Sequence, residues 1–322
     1  MKNPQLCIKD LSVFFKTGRG TLKAVNGVNL DIFKGKIVGL VGESGGGKSM
    51  VGLSVLRLIP EGGRIEAGEI IFEGKNLLEL SVDEMRLIRG ADISMILQDP
   101  LSSLNPAFRI ESQILDSLML HKGYGKKESK IIALEMLYNI GIPEPENTIR
   151  KFPHQLSGGM RQRVVIAIAF ICNPRLIIAD EPTTALDVTI QAQIMKLLKN
   201  LSTEYQTSVL FITHDLGIVA NFCDSVAVIY AGEIVEMAFT QELFTNPMHP
   251  YTKALFRSIP RHDKKLNHFY SIDGAMSTQI DLPLGCKFYS CCTEKLEECK
   301  REISIECMAA SPDHLVRCLK YS

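Results

Sequence analysis

Gly42-Glu43-Ser44-Gly45-Gly46-Gly47-Lys48-Ser49 is the stretch of this sequence whose residue types most clearly suit chemistry. Glycines at Gly42, Gly45, Gly46 and Gly47 let a backbone wrap an anion with its N–H groups, beside Ser44. Lys48 then supplies a mobile cation for β- and γ-phosphates, and the Ser49 hydroxyl is a hard oxygen ligand for Mg2+. A second stretch, Leu176-Ile177-Ile178-Ala179-Asp180-Glu181-Pro182, ends an apolar run on two adjacent carboxylates. Ligands of open α/β sheets bind at such strand ends. Asp180 suits Mg2+ held through water, and Glu181 suits a base that polarises water against a phosphate. Alone, a strand ending in Asp-Glu is weak evidence; beside the glycine loop it gains force.

A third group has a different chemistry. Of the nine cysteines, Cys7, Cys172 and Cys223 are scattered, whereas Cys286, Cys291, Cys292, Cys299, Cys307 and Cys318 crowd the last 37 residues. In a cytosolic chain this crowding points to metal before disulfides. Free thiols in a small buried subdomain are the bland alternative.

The elements that must hold these residues follow from the apolar pattern. Leu6 to Phe15 and Thr21 to Ile32 read as strands around a turn at Thr17-Gly18-Arg19-Gly20, and Ile37 to Val41 as a short buried strand feeding the glycine loop. Ser49 to Leu58 has helical spacing. From Asp99 to about Arg163 the pattern is helical, with segments at 110–120 and 128–140 ended by Gly141-Ile142-Pro143. Apolar strands return at 176–179, 209–213 and 226–230, runs that suit a parallel sheet buried on both faces. Beyond about Gln241 the pattern weakens into a tail bearing Pro, His and Cys.

Bulk properties narrow the function. The 322 residues are 46% hydrophobic, and Lys+Arg equals Asp+Glu at 36 each, so there is no basic excess for general nucleic-acid binding. The longest apolar run, Val164 to Cys172, is far shorter than the roughly 20 residues a membrane-spanning helix needs. No apolar stretch at the start resembles a signal peptide. The expectation is a cytosolic chain that serves a membrane only by docking.

In the order of the chain, further residues complete a family pattern. Leu156-Ser157-Gly158-Gly159-Met160-Arg161-Gln162-Arg163 resembles the signature of ABC-type ATPases, with Met160 where many members carry Gln. Gln98 resembles the Q-loop glutamine, Asp187 the loop that communicates between paired sites, and His214 the switch histidine. Phe15 sits where the family stacks an aromatic on adenine, with Phe14 the alternative. Gly46 stands where Ser is frequent. Asn246 to Leu255, containing His249-Pro250-Tyr251, is similar to the segment marking ATPases of oligopeptide, dipeptide and nickel importers. The cysteine-bearing end, through Ser311-Pro312-Asp313-His314-Leu315-Val316-Arg317-Cys318, matches that branch too.

The resemblance implies an α/β P-loop NTPase with a mixed or parallel β-sheet core, an antiparallel β subdomain, an α-helical subdomain and a small Cys-rich C-terminal domain. It places the ABC ATPase domain at 1–240, with the helical subdomain at about 99–163, and the C-terminal domain at 241–322. It implies ATP and Mg2+ as ligands, with Glu181, His214 and Gln98 as catalytic groups and Ser49, Gln98 and Asp180 toward Mg2+. Ser157, Gly158 and Gly159 of one subunit would close on ATP held by another, so hydrolysis needs a second ABC ATPase subunit, identical or related. It further implies two transmembrane permease subunits, an extracytoplasmic substrate-binding protein, and a peripheral place on the cytoplasmic face of the membrane. A 4Fe–4S cluster, or Zn2+, would be held by Cys286, Cys292, Cys299 and Cys318, with Cys291 or Cys307 as possible replacements; His314 reads as a local structural residue. Peptides are the favoured cargo, with nickel or another solute as the alternative. A soluble ABC ATPase acting on ribosomes or DNA is disfavoured by the single glycine loop and the absence of sustained heptads. A non-catalytic partner is disfavoured because Lys48, Asp180, Glu181 and His214 are all present.

Overall fold

A computed structural model of the chain describes residues 3–184, 186–257, 280, 285–301, 307–311 and 313–321. Ala185 and Pro312, which fall in two of the motifs above, lie outside the described residues, as do parts of the 241–322 segment. By its contacts the chain divides into two compact units. Unit 1 comprises residues 1–32, 37–78 and 212–322, and unit 2 comprises residues 33–36 and 79–211.

The chain opens in unit 1 with β1 (Leu6–Thr17), β2 (Gly20–Ile32), β3 (Ile37–Val41), α1 (Lys48–Val55), β4 (Gly63–Phe72) and β5 (Lys75–Asn76). Unit 2 carries α2 (Val82–Ile88), β6 (Ile93–Ile96), α3 (Pro100–Ser103), α4 (Ile110–Lys122), α5 (Lys126–Asn139), α6 (Pro145–Thr148), α7 (Gly158–Phe170), β7 (Leu176–Asp180) and α8 (Val188–Tyr205). It ends within β8 (Ser208–Thr213). Back in unit 1 come α9 (Leu216–Phe222), β9 (Ser225–Tyr230), β10 (Glu233–Phe239), α10 (Thr240–Thr245), α11 (Pro250–Arg257), β11 (Met308–Ser311) and β12 (His314–Val316).

In unit 1, β1 pairs antiparallel with both β2 and β4, giving the order β2-β1-β4-β5 and the expected antiparallel subdomain. The remaining strands of unit 1 run in the order β11-β12-β10-β9-β3. Here β3 is parallel to β9, whereas β10 is antiparallel to both β9 and β12. In unit 2 the order is β8-β7-β6, with β6 and β7 parallel. All residues of β3, β7 and β8 are buried. Their continuous apolar runs therefore mean burial on both faces.

The sheet is mixed, one of the two arrangements the family resemblance implied. The tail does not simply weaken either: Leu315 faces Met237 and Val316 faces Glu236, so the chain end returns to β10. These strands are only four and three residues long, too short to carry a readable alternation. Helix α1 also stops before Leu58. Arg57 takes a left-handed φ of 53°, Leu58 N–H donates to Leu53 O at 2.9 Å and Arg57 N–H to Ser54 O at 3.0 Å, a Schellman-type stop. In unit 2, α4 buries Ile110, Ile114, Leu115 and Leu118, and α5 buries Ala133, Met136 and Leu137, the faces predicted for the helical segment.

Candidate active site: a phosphate loop, a carboxylate strand end and a cysteine cavity

The glycine loop leaves the C-terminal end of β3 and ends on α1, whose N-cap is Gly47 at φ 98°. Gly42 is buried against β9: a Cβ there would meet Ile229 O at 2.2 Å, so only glycine fits. The same is true at Gly47, where a Cβ would lie 2.2 Å from Ala24 O. Gly46 acts through its backbone, its N–H donating to Glu43 O at 3.1 Å and its O accepting from Gly232 N–H at 3.1 Å. A Cβ on Gly46 would meet Glu43 O at 3.0 Å, so the serine common at this position requires only a small shift. Ser44 and Gly45 form the exposed crest of the loop, and Ser49 is half-buried on the first turn of α1. Lys48 curls back over the loop, its Nζ donating at 2.9 Å to Gly42 O and at 2.9 Å to Glu43 O. The result is a concave run of backbone at a helix start with a cation bridging it, which is an anion site. His214, also in unit 1, is exposed directly after β8, and Asp215 beside it caps α9 through Gly217 N–H at 2.8 Å. Phe15 lies on β1 with its ring over Gly63, where a Cβ would come within 2.4 Å of the ring. Phe14 instead carries Lys23 Nζ 5.5 Å above its ring.

In unit 2, β7 delivers Asp180, buried, to its end, and Glu181 follows at φ 45°. A left-handed glutamate costs on the order of 1–3 kcal/mol, and such strain collects at functional sites. Its carboxylate accepts from Gln98 Nε2 at 3.2 Å and Thr184 Oγ1 at 3.0 Å. Gln98, which follows β6, and Glu181 are thus brought together. Ser157 is the N-cap of α7, its hydroxyl accepting from Met160 N–H at 3.4 Å, so Gly158 and Gly159 open the helix. Asp187 caps α8 through Ile190 N–H at 2.9 Å.

The described residues contain no group of three or more His, Cys, Asp or Glu arranged to hold a metal. Mg2+ takes one or two hard protein oxygens and draws the rest of its shell from water and phosphates, and the Ser49 hydroxyl and the Asp180 carboxylate are each of that donor type.

The cysteines are a separate matter. Cys286, Cys292, Cys299 and Cys318 line one small cavity of about 20 Å3, together with Phe288 and Leu319. Cys286 N–H donates to Cys299 O at 2.9 Å, which ties two of the four positions. Burial pushes the Cys286 thiol up to about 11 and raises those of Cys292 and Cys318. The donors fit a soft metal in number and type but are not drawn to ligating distance. Cys291 lies instead beside Ser290 Oγ at 3.6 Å.

Sequence reading missed a buried network at the same end of unit 1. Glu236 on β10 is fully buried and accepts from Met248 N–H at 2.6 Å and His249 N–H at 2.9 Å. Its Oε1 also pairs with His314 Nε2 at 2.8 Å, the structural role expected for His314. Burial holds His249 down at about 3, so its neutral Nδ1 accepts Tyr251 N–H at 3.1 Å. Tyr251, also fully buried, accepts Glu43 N–H on its hydroxyl at 3.0 Å. The one signal available was the His249-Pro250-Tyr251 segment itself, which carries no hint of its partner.

Residues 25–184 match the ABC transporter family, and residues 235–299 match the oligopeptide/dipeptide transporter C-terminal region. The chain is 46% identical over 314 residues to the dipeptide transport ATP-binding protein DppD of Bacillus subtilis, covering 97% of this chain and 93% of that one. It is 43% identical over 318 residues to the oligopeptide transport ATP-binding protein OppD of Salmonella typhimurium, covering 99% and 94%. Among solved structures, the ATP-binding cassette MJ0796, a dimer bound to ADP and Pi, aligns with TM-score 0.66 and 30% identity over 73% of this chain and 98% of that one. Clostridium perfringens cbiO1, part of the ABC transporter complex cbiONQ, aligns with TM-score 0.64 and 26% identity over 76% and 92%. The fold and the phosphate loop define an ABC-type ATPase, an ATP-hydrolysing transporter subunit. The chain belongs to the ABC transporter ATP-binding family, in the branch that carries the oligopeptide/dipeptide transporter C-terminal region.

Proposed function

We propose that this chain hydrolyses ATP to energise import of dipeptides or oligopeptides through separate membrane subunits. The observation that carries the reading is full-length similarity to peptide transport ATP-binding proteins, including the C-terminal region that distinguishes the branch. Gly42 to Ser49 hold the phosphates, with Lys48 neutralising β- and γ-oxygens and Phe15 stacking on adenine. Ser49 and Asp180 hold Mg2+, which supplies charge neutralisation on the phosphates, and Gln98 reaches toward it. Glu181 polarises the attacking water, His214 contacts the γ-phosphate, and Ser157, Gly158 and Gly159 serve a nucleotide on a second ATPase subunit. Asp187 links the paired sites. Residues 1–240 make the ATPase domain, with a helical subdomain at about 99–163, and residues 241–322 the C-terminal domain.

Among the described residues no helix is long and apolar enough to cross a membrane. Leu101, Phe108, Leu120, Ile131 and Tyr138 are apolar and more than half exposed on the helical segment. Exposed apolar side chains of that kind suit docking to membrane permease subunits on the inner face of the membrane, two of which complete the importer, with an extracytoplasmic binding protein delivering the peptide. Glu181→Gln keeps the shape and removes the base. Turnover is expected to fall by about 10²–10⁴-fold, with MgATP still bound and a closed dimer accumulating on size exclusion. Wild-type turnover in that variant removes Glu181 from the role, and unchanged peptide uptake by cells carrying it removes the transport reading.

A second reading concerns the cysteine cavity: Cys286, Cys292, Cys299 and Cys318 hold an iron–sulfur cluster or zinc. Its support is that these four thiols line one cavity. Metal analysis and an absorbance spectrum of anaerobically purified protein decide it; a colourless, metal-free sample rejects both metals.

A further inference from the structure

The peptide between Gly42 and Glu43 is gripped at both ends. Its carbonyl, Gly42 O, accepts Lys48 Nζ at 2.9 Å, and its N–H, on Glu43, donates to the Tyr251 hydroxyl at 3.0 Å. Rotation of this one peptide plane would swing the carbonyl that anchors the lysine. Tyr251 stands 208 residues further along the chain and is fully buried. Its ring packs in a three-ring cluster with Tyr230, at 4.6 Å between centroids, and Phe288, at 5.5 Å, which also touch each other at 5.3 Å. Its backbone is fixed as firmly, because buried Glu236 accepts the two N–H groups just before α11. A hydroxyl held this tightly, aimed at a loop that must keep one shape, has a consequence for that loop.

We propose that Tyr251 is a positioning residue of the nucleotide site: its hydroxyl sets the Gly42–Glu43 peptide plane and thereby the resting place of Lys48. The C-terminal region is then a working part of the phosphate loop and not an appendage to it. This rests on the reading of Gly42 to Ser49 as the phosphate site.

Tyr251→Phe removes the hydroxyl and keeps the ring. In the full chain, Kd for MgADP and KM for ATP should rise about tenfold, the loss set by one buried N–H left without its acceptor. The kcat should stay near the wild-type value. A merely structural defect would lower the active fraction, and so kcat, without moving KM. Tyr321→Phe is the control, since that hydroxyl donates to Met248 O at 3.3 Å in the same region and does not touch the loop. It should leave KM unchanged. Wild-type KM in Tyr251→Phe overturns the proposal, as does an equal rise in Tyr321→Phe. A wild-type chain that binds no MgADP overturns the phosphate-site reading along with it.

Discussion

The phosphate loop and the cysteine cavity sit in the same unit and are built on opposite principles. The loop is eight consecutive residues that act mainly through backbone, so glycine is required where Ile229 O and Ala24 O crowd in. The cavity collects four side chains spread over 33 positions, on short turns and chain ends. A backbone site tolerates almost no side chain and is complete before its ligand arrives. A side-chain site can pack with its thiols half-buried and gather only when a metal displaces their protons.

Three substitutions can break or sharpen this contrast. The largest effect is expected from Gly42→Ala, whose methyl would overlap Ile229 O. MgADP affinity should fall by about 100-fold, matching the roughly 3 kcal/mol that overpacking of a rigid site can cost. Calorimetric titration reads it, and near-normal affinity would mean the loop is softer than its contacts imply. Glu236→Ala comes next, because it strips acceptors from Met248 N–H, His249 N–H and His314. Urea denaturation should register a loss of about 3 kcal/mol. A loss below about 0.5 kcal/mol would show that the C-terminal network is not what orders Tyr251. Cys292→Ser should be mildest for nucleotide: MgADP affinity unchanged, with metal content of the anaerobically purified protein falling. A large fall in affinity would join the two regions that the comparison separates.

Much of the molecule was legible from residues alone, for reasons that differ by element. β3, β7, β8 and β9 were readable because their centres are buried on both faces, so Ile37–Val41, 176–179, 209–212 and 226–230 are continuous apolar runs. The turn chemistry of the glycine loop, the carboxylates after β7 and the Ser157 cap of α7 were readable because each motif is contiguous and its local geometry follows from it. The Schellman stop at Arg57 was not, since an arginine in a left-handed conformation has no sequence signature. Nor were β11 and β12, whose few residues pair with β10 only because the chain returns there.

Sequence by itself determined the chemistry available: a lysine and serine after glycines, two carboxylates ending a strand, and four thiols near the chain end. Local order fixes these, because phosphate nests, helix caps and strand ends are short-range structures. Only the tertiary structure decided what stands behind them. The Gln98–Glu181 hydrogen bond joins residues 83 apart, and the Tyr251–Glu43 bond joins residues 208 apart. No spacing rule encodes such pairs: Gln98, itself exposed, meets Glu181 because β6 and β7 lie side by side, whereas the Tyr251 hydroxyl is buried where water cannot satisfy it and must find its partner in the chain.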